Sequence, residues 1–364
     1  DSLFIIGGSY YSSDSLINKG FLMKLNMAGD VLWFKTLGNL SGEYAVNDVS
    51  LGNDKVYVVG SRKLTEEDHD QYSAVIDFDG NVGIAVGNVI WRDTTQDVSI
   101  SHCDSVTYLK DEDFLKAMGG RPLMTIQMDE DSLFLASDTL ISFKPNPEDS
   151  VRTLLAYPDV RLFKSDLQAV CDSLVYSEMD SIFKFYDDPI IWSDTSQFSA
   201  DTIHIQLVEK KVNRIYLFRN SFMINSPDEV YFNQIKGKNN IVFFENDEVR
   251  RMKVNGNAES IYFAVDDDEK YIGSNKTVAS SMLLYFGNNQ VDNIKFYTQP
   301  KAKFTPMEKA TDEEQKLDGF NWDTSRRPMT LEDLFFEPNK SKTKIQTALP
   351  PKGKLNLDSR SEEN

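Results

Sequence analysis

The chain has 364 residues, a mass near 41.5 kDa and a formal net charge of -18. Two cysteines and three histidines exclude a disulfide scaffold and multi-Cys zinc modules, and they leave little room for a catalytic metal. Clustered Lys and Arg for a nucleic-acid groove are missing, and no apolar run reaches the length of a membrane-spanning helix.

The chain begins at Asp1 inside an apolar run with no charged leader region, which reads as a processed chain or a fragment. Residues 1–83 read as two copies of one unit. Asp1–Gly8 answers to Asn53–Gly60, and Phe21–Leu25 with Gly29-Asp30-Val31 answers to Ser73–Asp77 with Gly80-Asn81-Val82. Each copy supplies a short apolar strand, a polar loop, an alternating strand and a Gly turn. That is the texture of secreted bacterial β-propeller repeats, here in an incomplete set of two.

From residue 86 a second repeat begins: a small residue, Asp, Ser or Thr, and then an alternating strand. Its copies centre on Asp104, Asp138, Asp172 and Asp201. Strands recur every 8 to 12 residues, separated by turns such as Asp187-Asp188-Pro189 and Asn255-Gly256-Asn257. A fixed period with no helical pattern predicts an all-β, elongated antiparallel stack of hairpins over 86–304. The ends of such a stack are open strand edges. Thr305-Pro306-Met307-Glu308 is a capping box with Pro at the first helical position, which predicts a short helix over 306–317. Thr330 caps a last turn through Leu334. The 305–336 stretch is then a C-terminal extension, and 337–364 reads as a disordered tail.

Nothing in the sequence points to an enzyme: no nucleophile elbow, no Cys–His pairing and no phosphate loop occurs. The acidic run Asp266–Glu269 lacks EF-hand spacing and reads as a solvated turn. His204, between Ile203 and Ile205, reads as a structural histidine. Asp172-Ser173 and Asp201-Thr202 read as turns closed onto the backbone, in preference to glycosylation acceptors. Cys103 and Cys171 hold the same place two repeats apart. At strand spacing that is about 9.6 Å, beyond the ~7 Å Cα separation of a disulfide, so two separate, buried or half-buried thiols are expected. No cofactor and no metal is predicted.

Several stretches carry a resemblance to a known family: GNVIWRDTTQDVSISHCDSVTYL, DLQAVCDSLVYSEMDSIFKFYDDPIIWSDTSQFSADTIHI, GNAESIYFAVDDDEKYIGSNKTVASSMLLYF and LDGFNWDTSRRPMTLEDLF. Over about 86–336 the chain resembles the OstA-like (LptA-related) periplasmic proteins of Bacteroidetes. The resemblance implies a β-jellyroll, or β-taco: an antiparallel sheet folded over an apolar groove. It implies non-enzymatic carriage of the lipid A part of lipopolysaccharide towards the outer membrane. It implies partners among other lipopolysaccharide-transport proteins joined by strand-edge addition, self-association, and a periplasmic location with outer-membrane association.

Residues 1–83 fall outside the resemblance, so the chain reads as a junction of two pieces near 83–86. Strand alternation nominates Leu174, Tyr176, Ile182, Ile190, Trp192, Ile203, Ile205, Leu217, Phe222 and Ile224 as groove-lining, lipid-binding residues. A fourteen-carbon acyl chain is worth on the order of 10 kcal/mol of shielding from water, at about 0.8 kcal/mol per methylene. The acidity of the chain implies recognition through acyl chains with head groups kept outside. The competing reading is a structural or adhesive surface protein that binds protein or glycan, with strand faces packed only on each other.

Overall fold

A computed structural model describes residues 4–12, 17–37, 43–52, 55–63, 69–77, 82–93, 97–128, 131–146, 151–209, 211–245, 248–266, 268, 270–287, 290–311 and 314–335. The strands in chain order begin with β1 (Phe4–Ser12), β2 (Ile17–Leu25), β3 (Val31–Leu37), β4 (Glu43–Gly52), β5 (Lys55–Lys63), β6 (His69–Asp77), β7 (Val82–Asp93) and β8 (Val98–Leu109). Twelve short strands follow: β9 (Phe114–Met118), β10 (Leu123–Gln127), β11 (Ser132–Ala136), β12 (Thr139–Phe143), β13 (Thr153–Tyr157), β14 (Val160–Lys164), β15 (Leu167–Cys171), β16 (Ser173–Ser177), β17 (Ile182–Tyr186), β18 (Ile190–Ser193), β19 (Ser196–Ser199) and β20 (Thr202–Val208). Four long strands come next, β21 (Lys211–Asn225), β22 (Asn233–Glu245), β23 (Glu248–Val265) and β24 (Tyr271–Gly287), then β25 (Gln290–Tyr297) and β26 (Lys301–Pro306). The chain is all-β and antiparallel, as its strand texture predicts.

The short strands sort into two ladders. Ladder I runs β8–β9–β12–β13–β16–β17–β20–β21, and ladder II runs β8–β10–β11–β14–β15–β18–β19–β21. The long strands take part in both. In β21, Arg214–Phe218 pairs within ladder I and Ser221–Asn225 within ladder II, with the bend at Arg219 and Asn220. Their φ values of 58° and 46° put both residues in the left-handed region. Gly256 and Asn257 bend β23 in the same way.

The repeat aspartates sit at these corners. The backbone N–H of Asp104 donates to Gly119 O, that of Asp138 to Pro158 O, that of Asp172 to Asp187 O and that of Asp201 to Arg219 O. One repeat is therefore two layers of each ladder: a hairpin in one, a corner, and a hairpin in the other. Asp159, Asp187 and Asp188 also turn corners with positive φ, a conformation that Asp and Asn reach at least cost. The Asp-Ser/Thr signature marks the fold line, and Ser173 Oγ donates to its neighbour Asp172.

Both ladders bury one face in a shared apolar core. In ladder I, Leu140, Ala156, Leu174, Phe185, Ile203 and Leu217 are successive register partners, all buried inward. In ladder II the inward row is Leu135, Leu162, Ala169, Ile191, Phe198, Met223 and Ile235.

The outer faces differ. Ladder I alternates buried and half-buried residues, as a sheet with one solvated face should. Ladder II is buried on both faces, throughout β15 and over most of β18 and β19. The C-terminal segment 314–335 lies along its outside as a strap. The predicted helix over 306–317 is not what forms there. Among the described residues, a single 3₁₀ turn, Met307–Lys309, stands in its place, and Pro306 makes no side-chain cap. Residues 314–335 run as successive turns and irregular segments, some of whose backbone groups ladder II binds in place of helical partners, as set out below. The last turn does form, as a 3₁₀ helix Glu332–Leu334, with the Asp333 carboxylate accepting from the Met329 and Thr330 amides. The expected disordered tail lies outside the described residues.

The two N-terminal copies are two antiparallel meanders, β1–β2–β3 and β5–β6–β7. The first is a separate three-stranded sheet. It packs on β4 and β5 through Leu22, Val56 and Val58, with Ile5, Trp33, Val46 and Val49 around them. Gly7 is required there, because a Cβ would lie 2.6 Å from the Val49 side chain and 2.7 Å from that of Val46. The second copy does not stand apart. The 83–86 boundary falls inside the single strand β7, which pairs with β6 on one side and β8 on the other. Residues 43–93 thus continue the 23-stranded sheet.

Cys103 and Cys171 are free and buried, each at the residue before a corner Asp. They are further apart than a one-strand repeat allows, because four pairings of ladder II lie between β8 and β15, about 19 Å at strand spacing. The Cys103 thiol donates to Val89 O and that of Cys171 to Ser173 O. Burial pushes the Cys103 thiol up to about 12 and raises that of Cys171 as well. Both thiols are therefore expected to resist a thiol reagent at pH 8 in the native protein and to react within seconds in denaturant. Rapid native labelling of either would contradict its burial.

Candidate functional site: the cleft between the ladders

Near the fold line the two ladders fill the interior with their own side chains. Towards the hairpin tips they diverge, and three hollows open along the mouth. The first, about 80 Å³, lies between Trp91, Ile100 and Met124 on one side and Leu115, Leu154 and Tyr176 on the other. The second, about 570 Å³, has Leu133, Leu162 and Leu167 from ladder II facing Phe183, Phe185 and Ile205 from ladder I. Between these two the rings of Tyr176 and Phe183 stack at 4.3 Å. The third, about 610 Å³, is more polar and meets the second at Ser165 and Asp166.

The rim of the central cavity is charged. Lys164 pairs with Asp166 at 2.5 Å and with Asp131 at 3.7 Å. Ser165 donates to Asp131 through both Oγ and its amide. Burial alone would raise the Asp131 carboxyl, but the Ser165 and Ser132 donors and Lys164 outweigh it and hold it low. Glu209 and Lys211 complete the rim on ladder I. The floor is hydrocarbon and the lip is ionic.

The ten residues nominated from alternation divide evenly. Leu174, Tyr176, Ile203, Ile205 and Leu217 face the interior. Ile205 lines the central cavity and Tyr176 the first hollow. The other five do not line the cleft. Ile182 lies on the solvent side of β17, whose inward residues are Phe183 and Phe185. Ile190 and Trp192 pack with Val170 on the outer face of ladder II, and Phe222 and Ile224 pack there against Leu317 of the strap. Their inward neighbours are Ile191 and Met223. The errors fall mostly in ladder II because both its faces are buried. A run such as Ile190-Ile191-Trp192 carries no polar residue to mark the outside. The apolar lining residues missed were Met128, Leu133, Leu162, Leu167, Phe183, Phe185, Leu207 and Val212. The alternation of β17 with Lys184 outward was the available signal for the two phenylalanines.

No protein family, curated protein or solved structure matches this chain.

The other sequence candidates have structural roles. His204 lies on the outer face of ladder I, edge-on to Tyr186 and Phe218. Burial and nearby Lys184 push its pKa down, against a smaller opposing pull from Asp180. Asp266 closes a turn by accepting from the Asp268 and Lys270 amides, while Asp267 and Glu269 lie outside the described residues. No group of three His, Cys, Asp or Glu that could hold a metal occurs among the described residues. No described helix is long and apolar enough to cross a membrane.

The strap is held by a row of glutamines. On the outer face of ladder II, Gln168, Trp192, Gln197, Ile224, Gln234 and Ile261 are successive register partners. Gln234 Nε2 donates to Gln315 O, and its Oε1 accepts from the Leu317 amide. Gln197 repeats the pattern with Asn321 O and the Asp323 amide. Gln168 accepts from Arg327 Nε. Further along, Arg161 donates to Asp333 O and Arg121 to Leu334 O.

Asp323 helps to lock the strap. Burial would raise its carboxyl, but hydrogen bonds from Ser325 and Arg326 outweigh it and hold the pKa low; Asp333 is held low by the Met329 and Thr330 amides against the same penalty. A carboxyl depressed on folding contributes stability above its unfolded pKa and loses it as pH falls through the folded value. The strap is therefore expected to loosen below about pH 4, seen as faster amide exchange in 317–335 than in ladder I. Equal exchange in both segments at pH 3 would contradict this.

Proposed function

We propose that this chain is a non-enzymatic lipid carrier whose acyl cargo lies between the two ladders. The cargo class follows the resemblance: the lipid A part of lipopolysaccharide, carried through the periplasm towards the outer membrane on a β-taco. The observation that supports this reading best is the central cavity of about 570 Å³, floored by Phe183, Phe185, Ile205, Leu133 and Leu162 and open at an ionic lip. At about 30 Å³ per water-sized group it holds about 19 such groups, the bulk of one long acyl chain. A multi-chain lipid would extend along the mouth into the neighbouring hollows.

The ends of the sheet support partners of a definite kind. β25 and β26 pair with β24 and with no further strand among the described residues, so both ladders present a free edge at that end. The opposite end carries the β1–β3 sheet stacked on β4 and β5. The β25/β26 edge suits addition of another transport protein, or of a second copy, by strand pairing; at the opposite end β4 pairs with β5 alone among the described strands and offers a second edge. The competing reading, a structural or adhesive β protein, is favoured by the interior near the fold line, which its own side chains fill.

The test is displacement of a fluorescent fatty-acyl probe from the full chain by lipid A, compared with Leu207→Asp. Leu207 is half-buried and lines the cavity, so a carboxylate there stays hydrated in the empty protein and loses its water only when a chain enters. The carrier reading expects saturable displacement and at least tenfold weaker binding in the variant, with an unchanged melting temperature. No saturable binding by the folded protein would reject the carrier and leave the structural reading.

A further inference from the structure

The third hollow differs in chemistry from the cavity it adjoins. Its walls carry the hydroxyls of Ser193, Thr195, Ser196 and Ser226, with Trp322 and Phe286 supplying aromatic surface. Four carboxylates line it, those of Asp166, Asp194, Asp228 and Glu229, with Arg327 as the lining cation; Asp166 is paired with Lys164 at the junction, and Asp228 accepts from the Tyr271 hydroxyl and the Val230 and Tyr231 amides. Arg327 is engaged by Gln168 Oε1 and by Asp194 O. Directly behind the hydroxyl wall, Asn225 is only 2 % exposed. Its Nδ2 donates to Thr195 Oγ1 and Ser196 Oγ, and its buried Oδ1 has no hydrogen-bond partner. This wall is built and polar, and it adjoins a hydrocarbon cavity at Ser165 and Asp166.

We infer that the two hollows form one amphiphile site: the central cavity takes the acyl chain, and the adjoining cleft takes an uncharged, polyhydroxylated head group, a short saccharide. This rests on the carrier reading above. Hydroxyls and carboxylates satisfy sugar hydroxyls in both directions, as acceptors and donors. Aromatic side chains offer an apolar surface to the C–H face of a sugar ring, with a polar handle in the case of Trp. A volume of about 610 Å³ corresponds to about 20 water-sized groups, close to two sugar rings. Phosphate recognition needs converging Arg or Lys. Here the lining carboxylates outnumber Arg327 and the Lys164 that pairs with Asp166, and like-charge juxtaposition disfavours a phosphate. The inference therefore narrows the cargo to glycolipids whose head group at this cleft carries no phosphate.

The experiment compares two amphiphiles with the same chain, dodecyl maltoside and dodecyl phosphate. Both are titrated into the full chain below their micelle-forming concentrations, by displacement of the fatty-acyl probe. The expected result is at least tenfold tighter binding of the maltoside. Two variants then test the cleft. Glu229→Lys reverses a charge on an exposed loop residue, and Asp194→Asn removes one while keeping a residue type that tolerates its φ of 50°. Either should reduce the maltoside preference at least threefold. Equal affinity for the two amphiphiles, unmoved by both variants, would overturn the saccharide site and leave the acyl carrier standing. Failure of both amphiphiles and of the fatty-acyl probe to bind would reject the carrier reading itself, and this inference with it.

Discussion

Phe185→Ala is expected to destabilise the protein by about 3–5 kcal/mol, the cost of emptying a large aromatic site in a packed core. Phe185 is fully buried in the shared core, between Leu174 and Ile203 in the inward row of ladder I. It also floors the central cavity, so the hollow its loss creates merges with space already open. The ladders cannot close over the gap, because each is tied at its corners by backbone hydrogen bonds such as Asp172 N–H to Asp187 O. A loss of this size is a large share of the ~5–15 kcal/mol typical of a folded domain. Urea unfolding would measure it. A loss below 1 kcal/mol would mean that Phe185 is not a packed member of the core. Acyl-probe binding in the same variant separates packing from cargo: the enlarged cavity should still bind the probe.

Gln234→Met is expected to cost about 2–3 kcal/mol, although methionine is nearly the same size. Gln234 is fully buried and bonds the strap twice, giving a hydrogen bond to Gln315 O and receiving one from the Leu317 amide. Leu317 is itself buried, so its amide would be left without an acceptor, and an orphaned buried donor costs about 1–3 kcal/mol. The consequence is local. Amide exchange should rise in 314–323, and Phe222, Ile224, Ile261 and Phe263, which pack with Leu317, would lose their cover. Ladder I should be unaffected. Gln234→Glu keeps the acceptor for Leu317 but sets a carboxylate oxygen against Gln315 O, so it should be no better than methionine. A Gln234→Met protein with unchanged exchange in the strap would show that the glutamine row does not hold it.

The all-β class and the strand-rich repeat were legible from the residues themselves. Asp104, Asp138, Asp172 and Asp201 mark the repeat in the sequence, but reading them as local turns missed the fold line, because their amides bond carbonyls 15 to 20 positions away. Ladder I was largely legible, with Ile182 of β17 the exception. Ile203-His204-Ile205 alternates because one face is solvated, and the two isoleucines are indeed inward. Cys103 and Cys171 were correctly expected as separate buried thiols, though each repeat spans two strand spacings rather than one.

What only the tertiary structure decided was everything that depends on a distant partner. Ile190, Trp192, Phe222 and Ile224 face away from the cleft because residues more than 90 positions later in the chain return to cover them. No local pattern separates a strand buried on two faces from one whose apolar side lines a groove. The strap's own conformation was hidden for the same reason. Thr305-Pro306-Met307-Glu308 favours a helix by itself, but buried Gln234 and Gln197 bind backbone groups of Gln315, Leu317, Asn321 and Asp323 that a helix would otherwise pair. Local propensity is worth a fraction of a kcal/mol per residue, and it yields when a buried surface and paired backbone groups lie on the other side.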